Sequence, residues 1–301
     1  MGATTLTDAG DGLSPYGNAH VIAFVNEKGG VAKTSSCVNL AAAMAENGRR
    51  VLCIDLDPQS NATTAFGISS EQAIERESHC LLTMPRFPLE RAVLPTRIEN
   101  LDLVPGSARL ADCDKSLVME VGREGRLRNK LREFYRSVLT EKYDFVLLDC
   151  PPSLDLLTIN ALVAATHMIV PVTTKFYALK GMALLGDMVA TLHEQIGANV
   201  KLLGILVTMY DKKTALDVTI YRLLKEKVEG QFGKYIFSTI ITKSVAISEA
   251  EAGGFPAVIR DPESPAAEAY RALCSEVIER LRSDVSGRLK AAPELAGAAA
   301  H

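Results

Sequence analysis

The chain has 301 residues, 48% of them apolar, and a net charge of -3. That balance excludes a globally basic nucleic-acid binder, leaves room for a local basic patch, and supplies material for one large core. No apolar run is long enough to span a bilayer and the start has no signal-peptide core, so the expected setting is soluble and cytoplasmic. The six cysteines, at 37, 53, 80, 113, 150 and 274, form no CxxC pair. Cys53 and Cys150 lie in apolar runs, where a buried thiol is the plain reading, and disulfides are not expected.

In chain order, residues 1–19 are rich in Gly, Thr, Asp and Ser and read as a disordered leader. A strand is predicted over 20–26, then a helix over 33–47 with Val38, Leu40, Ala41 and Met44 on its apolar side and Gly48 as its stop. A second strand covers 50–56. The stretch 60–100 is irregular, broken by Pro85, Pro88 and Pro95, and a short strand follows at 101–104. Next come a helix over 126–140, a strand over 145–149, a helix over 156–164 and a strand over 168–172. A long helix is predicted over 179–196, a strand over 200–209, a helix over 215–229 and a strand over 235–242. An amphipathic helix over 262–283, with Tyr270, Leu273, Val277 and Leu281 on one side, closes a single domain spanning 20–284, and 285–301 reads as a flexible Ala-rich tail. Regular strand–helix alternation predicts an α/β fold, doubly wound, with a mostly parallel sheet covered by helices on both faces.

The segment Asn26-Glu27-Lys28-Gly29-Gly30-Val31-Ala32-Lys33-Thr34-Ser35 joins the first predicted strand to the first helix. Glycines at a helix N-terminus make an anion site, because free N–H groups and the helix dipole point at phosphate. Lys33 is placed to neutralise phosphate oxygens and Thr34 to offer its hydroxyl to Mg²⁺. The ordinary G-x-x-x-x-G-K-[ST] pattern fails twice, at Glu27 and Ala32, and a second lysine, Lys28, precedes the Gly pair. Asp149 ends a hydrophobic strand and suits a magnesium site; a turn or cap residue is the bland alternative. Asp55, inside the second strand, and Asp57, just beyond it, stand two residues apart, so only one of them need face the metal.

Lys28-Gly29-Gly30-x-x-Lys33-Thr34 resembles the deviant phosphate loop of the ParA/Soj partition ATPases, within a superfamily that includes MinD-like and nitrogenase-iron-protein-like members. The runs Val51 to Thr63 and Tyr143 to Leu154, continued by Thr158 to Leu162, resemble that family's switch segment and its Walker B strand. Weaker likeness runs through Val207-Thr208-Met209 and Ser248-Glu249-Ala250 to Tyr270. The resemblance implies an ATP hydrolase using ATP and Mg²⁺, with Lys28, Gly29, Gly30, Val31, Ala32, Lys33, Thr34, Ser35 and Met209 on the nucleotide. It places Thr34, Asp55 and Asp149 around the metal. It implies three catalytic residues: Lys33, Asp57 positioning the attacking water, and Lys28 reaching the partner's phosphates in an ATP-sandwich homodimer; a solvated loop lysine is the other reading of Lys28.

The family also implies non-specific DNA binding, a ParB-type DNA-binding partner that stimulates hydrolysis, and association with the nucleoid in the ATP state. Thr242-Lys243-Ser244-Val245-Ala246 stands where the family reads Pro-Arg-Asn-Val-Arg, so Lys243, with Lys212 and Lys213, is the DNA-contact candidate set. A MinD-like positioning ATPase acting on a membrane or protein cargo is the alternative. The final residues lack the basic amphipathic pattern such a protein uses, and no stable membrane association is expected. A metallocluster carrier is disfavoured because Cys113 and Cys150 have no paired partners.

Overall fold

The structure, a computed structural model, describes residues 15–137, 143–174, 189–195, 197–229 and 235–285. Eight strands form one sheet: β1 (His20–Phe24), β2 (Val51–Asp55), β3 (Leu94–Pro95), β4 (Leu101–Val104), β5 (Phe145–Asp149), β6 (His167–Thr173), β7 (Lys201–Tyr210) and β8 (Ile236–Thr242). Their spatial order is β3-β4-β2-β5-β1-β6-β7-β8. Every pairing is parallel except that of β3 with β4.

β1, β2, β5 and β6 are apolar at nearly every position because both faces of the sheet are covered. Alternate residues feed two cores. Val21, Ala23, Leu52, Ile54, Val146 and Leu148 pack with the helices Arg126–Arg136 and Leu156–Ala164. Ile22, Phe24, Val51, Cys53, Phe145 and Leu147 pack on the other face with α1 (Lys33–Glu46) and the final helix Pro265–Val285. The chain leaves β1 toward β2 by way of α1 and leaves β5 toward β6 by way of Leu156–Ala164, on opposite faces. The winding therefore reverses about β1, and a ligand crevice belongs outside the carboxyl ends of the strands there.

Several expectations shift. The leader is predicted to run to residue 19, yet Tyr16 and Ala19 are 2% and 5% exposed, and the Tyr16 hydroxyl donates to Ala164 O at 2.8 Å. An aromatic ring with a satisfied hydroxyl draws these last leader residues into the core; residues 1–14 lie outside the described set. The irregular stretch holds four short helices, Asn61–Ala65, Ser70–Ala73, Ser78–Thr83 and Leu89–Ala92. The helices Val245–Ala252 and Ala257–Arg260 and the two-residue strand β3 have no counterpart in the sequence reading. Elements this short carry too few turns for a periodic signal. Most of the predicted 179–196 helix and all but the first residue of the predicted tail lie outside the described residues.

At the β7–β8 edge the C-terminal helix is pinned by Arg280, which donates to Leu203 O, Tyr235 O and Ile236 O at 2.7–3.0 Å. Its guanidinium stacks 4.1 Å from the Phe237 ring centroid. A Cβ on Gly204 would meet Phe237 at 2.3 Å, so only glycine lets that stack close on the strand.

Candidate nucleotide site

The loop after β1 is held from both sides. Asn26 Nδ2 donates to Pro171 O of β6 at 2.7 Å, and Asn26 Oδ1 accepts from the Lys28 N–H at 3.0 Å. The Thr208 hydroxyl, on β7, lies 3.1 Å from both Val31 O and Val172 O. Two neighbouring strands thus set the curvature before any ligand arrives. Gly30 sits at φ +70°, and Ala32 at φ 56°, ψ 38° is also left-handed. The methyl of Ala32 makes this conformation cost about 1–2 kcal/mol more than a right-handed one. It is nonetheless the residue from which α1 starts, and no side chain caps that helix. Its first N–H groups are left for an anion.

Lys33, 6% exposed, donates its ammonium to Lys28 O at 3.2 Å. Burial lowers its pKa, while Asp149, Cys150 and Asp57 pull it back up. A cation held here without a strong partner, beside free helix N–H groups, is disposed to receive polyphosphate. The Lys28 side chain is half-buried and has no hydrogen-bond or ion-pair partner among the described residues.

Asp55 and Asp149 are register neighbours at the ends of β2 and β5. Asp149 is fully buried and neither carboxylate oxygen has a hydrogen bond of ordinary geometry. Burial, then the charge of Asp55, drives its pKa well above the usual carboxylate range, and nearby Thr34 and Lys33 only moderate this. Two orphaned carboxylate oxygens beside the Thr34 hydroxyl fit a hard divalent cation. No group of three or more His, Cys, Asp or Glu forms a ready-made cage among the described residues.

Asp55, expected in the magnesium shell, lies beside Asp149 and also holds its own loop. Its Oδ1 accepts from Asp57 N–H at 3.1 Å, and Oδ2 accepts from Thr63 N–H at 2.9 Å and the Thr63 hydroxyl at 2.7 Å. A Cβ on Gly106 would lie 2.7 Å from its Cγ, so that side is closed too. Burial raises the Asp55 pKa to about 6, against the pull of the Thr63 and Asp57 donors. Asp55 thus anchors the loop that carries Asp57, with one acceptor site on Oδ1 still open. Asp57 accepts from Gln59 N–H through Oδ1 at 2.9 Å and is 6% exposed, and Oδ2 has no hydrogen bond among the described residues.

The other candidates fall as follows. Ser35 is turned away from the loop mouth and donates to Glu251 Oε2 at 3.0 Å, while Asn39 reaches Glu251 Oε1 at 3.2 Å. Gly29 packs toward Pro152, whose Cβ would be 3.9 Å from a Cβ placed there. Met209 has φ 52° and is 41% exposed, next to the Thr208 clip. Lys212, Lys213 and Lys243 are exposed, and Lys243 N–H donates to Tyr210 O at 3.1 Å, so all three lie at the adjoining ends of β7 and β8. Asn26, Thr63, Thr208 and Glu251 are site-building residues that the sequence reading does not single out. Thr63 and Thr208 stand inside quoted motifs, but nothing in the sequence links Glu251 to a helix more than 200 residues away.

A family profile described as an AAA domain matches residues 19–202. The sporulation initiation inhibitor protein Soj of Bacillus subtilis is 37% identical, covering 85% of this chain and 97% of that protein. The chromosome-partitioning ATPase Soj of Thermus thermophilus is 41% identical over 87% of this chain and 96% of its own length. Among solved structures, one of Mycobacterium smegmatis described as cobyrinic acid a,c-diamide synthase with bound ADP and magnesium is 30% identical. It covers 92% of this chain and 98% of its own, with a TM-score of 0.73. Fold, phosphate loop and buried acid together define a P-loop ATPase whose cofactors are ATP and Mg²⁺. Within that class the chain belongs to the ParA/Soj family of partition ATPases.

Proposed function

We propose that this chain partitions DNA: its ATP-bound sandwich dimer binds DNA without sequence preference and hydrolyses ATP when a ParB-type partner stimulates it. The observation that carries the reading is Lys28, whose backbone is locked by Asn26 while its ammonium has no partner among the described residues. A lysine fixed at the mouth of a phosphate loop and left unused by its own subunit suits a second subunit's phosphates. There it would act as an arginine finger does, supplying charge where the transition state develops it. Asp57 Oδ2 orients the attacking water, Lys33 holds its own subunit's phosphates, and Thr34 and Asp149 hold Mg²⁺, which neutralises charge on the phosphates. Lys212, Lys213 and Lys243, clustered at one sheet edge, contact DNA phosphates, and Met209 lies against the base.

Size-exclusion chromatography and DNA retention with ATP, ADP and no nucleotide test this. Lys33→Ala loses nucleotide, dimer and DNA together. Lys28→Ala binds ATP as a monomer, and Asp57→Ala accumulates a slow-turnover ATP dimer on DNA, because a group acting only in the transition state spares ground-state affinity. A Lys28→Ala protein that dimerises normally refutes the cross-subunit role, and equal DNA affinity with ATP and ADP refutes the nucleotide switch.

A further inference from the structure

The helix Arg126–Arg136 carries five Arg or Lys among eleven residues, in a chain whose net charge is -3. Two of the five are already engaged. Arg126 pairs with Glu120 at 2.6 Å, and Lys130 is buried and donates to Pro85 O. The remaining three, Arg128, Arg132 and Arg136, stand four residues apart and therefore line one side of the helix. None has an ion pair among the described residues, and the Nε atoms of Arg128 and Arg132 are buried without a hydrogen-bond partner. Arg128 lies over Gly125, its Nη2 3.2 Å from where a Cβ would stand, so the absence of a side chain there makes room for the guanidinium. Arg128 and Arg132 both lie near enough to the buried Tyr16 phenol to act on it electrostatically.

Three like charges in an i, i+4, i+8 row repel one another, and a structural role would call for an acidic partner that the row does not have. We propose that Arg128, Arg132 and Arg136 form a second contact for the phosphate backbone of DNA, separate from the lysines at the ends of β7 and β8. At 1.5 Å rise per residue the three charges fall about 6 Å apart along a line. A DNA strand offers one phosphate per roughly 3.4 Å of axis, so successive arginines meet about every second phosphate. The exposed residues beside the row on this helix, Asn129 and Glu133, are polar. A protein interface would centre on apolar side chains, which favours a nucleic-acid backbone over an acidic protein. The contact rests on the DNA-binding reading above but uses different residues on a different element.

The test uses the full chain with ATP and Mg²⁺ and a fluorescein-labelled duplex of random sequence, followed by anisotropy across a salt series. Arg132→Ala/Arg136→Ala is expected to weaken binding about tenfold or more at moderate salt and to lower the slope of log K against log salt by about 2. Arg132→Lys/Arg136→Lys, which keeps the charges, restores most of the slope. Arg136→Ala alone, at an exposed position, lowers it by about 1 and serves if the double variant does not fold. Wild-type affinity and slope in the double-Ala protein, with binding lost in Lys212→Ala/Lys213→Ala/Lys243→Ala, overturn this contact and leave the partition reading standing. A wild-type chain that binds no duplex in any nucleotide state overturns both.

Discussion

Ala32 and Asp149 are single residues that carry strain at the candidate site, one in its backbone and one in its charge. The φ of 56° at Ala32 is one a glycine adopts without a Cβ clash. Ala32→Gly should therefore leave folding within about 1 kcal/mol of the parent, and ATP affinity should change less than about tenfold, roughly 1.4 kcal/mol. Calorimetric titration checks this; a parent chain that binds no ATP beside an Ala32→Gly protein that does would show the phosphate loop to be non-functional. At Asp149 the strain is electrostatic, since an orphaned buried carboxylate lies beside Asp55. Its raised pKa means that its contribution to the ligand-free fold is fullest at low pH and is lost as pH rises. Asp149→Asn should then raise the ligand-free melting temperature at neutral pH by roughly 2–4 °C, the shift that about 1 kcal/mol gives in a domain of this size. The same variant should lose the further rise that Mg²⁺ with ATP gives the parent. Thermal melts with and without Mg·ATP decide it, and an unchanged Mg·ATP response would remove Asp149 from the metal site.

Between elements, the Glu251 carboxyl ties the helix Val245–Ala252 to the first turns of α1 by accepting from Ser35 and Asn39. Burial raises its pKa from 4.5 to about 7, although both donors favour the charged form. With the folded value raised, the stabilisation from this group is complete below about pH 4.5 and disappears as pH rises through about 7. Glu251→Gln should flatten the fall in stability between about pH 5 and pH 8 by no more than ~3 kcal/mol. Urea melts at several pH values check this, and parallel profiles for the two proteins would refute it. This tie also marks where the sequence stops being legible. Strands such as Phe145–Asp149 and the loop residues Lys28 to Thr34 are readable because an apolar run or a glycine pair between strand and helix is a local signal. The partners of Ser35 and Asp55 are not, because they are set by how distant elements dock. Asp55 reads as a metal-side acid from the resemblance, and its second part as a loop anchor becomes visible only where Thr63 and Gly106 approach it.

For the molecule as a whole, the end of the sheet away from the nucleotide site decides whether the closing helix stays docked. Asp284, near the end of the helix Pro265–Val285, accepts from Lys201 at 2.8 Å and lies 3.0 Å from His167 Nε2. These contacts join the helix terminus to the first residues of β6 and β7. The His167 hydrogen bond, then Lys201, holds the Asp284 carboxyl down from 3.8 to about 2. A depressed folded value contributes stability that is present above about pH 3.8 and is lost as pH falls through about 2. The Asp284 and His167 side chains are only 7% and 6% exposed, so little of this is screened by solvent. Asp284→Asn should accordingly cost about 2 kcal/mol at neutral pH, and parent and variant should converge toward pH 2. Because the latch lies at the opposite ends of the strands from the phosphate loop, ATP affinity of the folded protein should be unchanged. Hydrogen exchange should instead quicken at the last turn of the final helix and the start of β6. A variant with parental exchange there and an unchanged denaturation midpoint would show that the Arg280 contacts alone keep the helix in place.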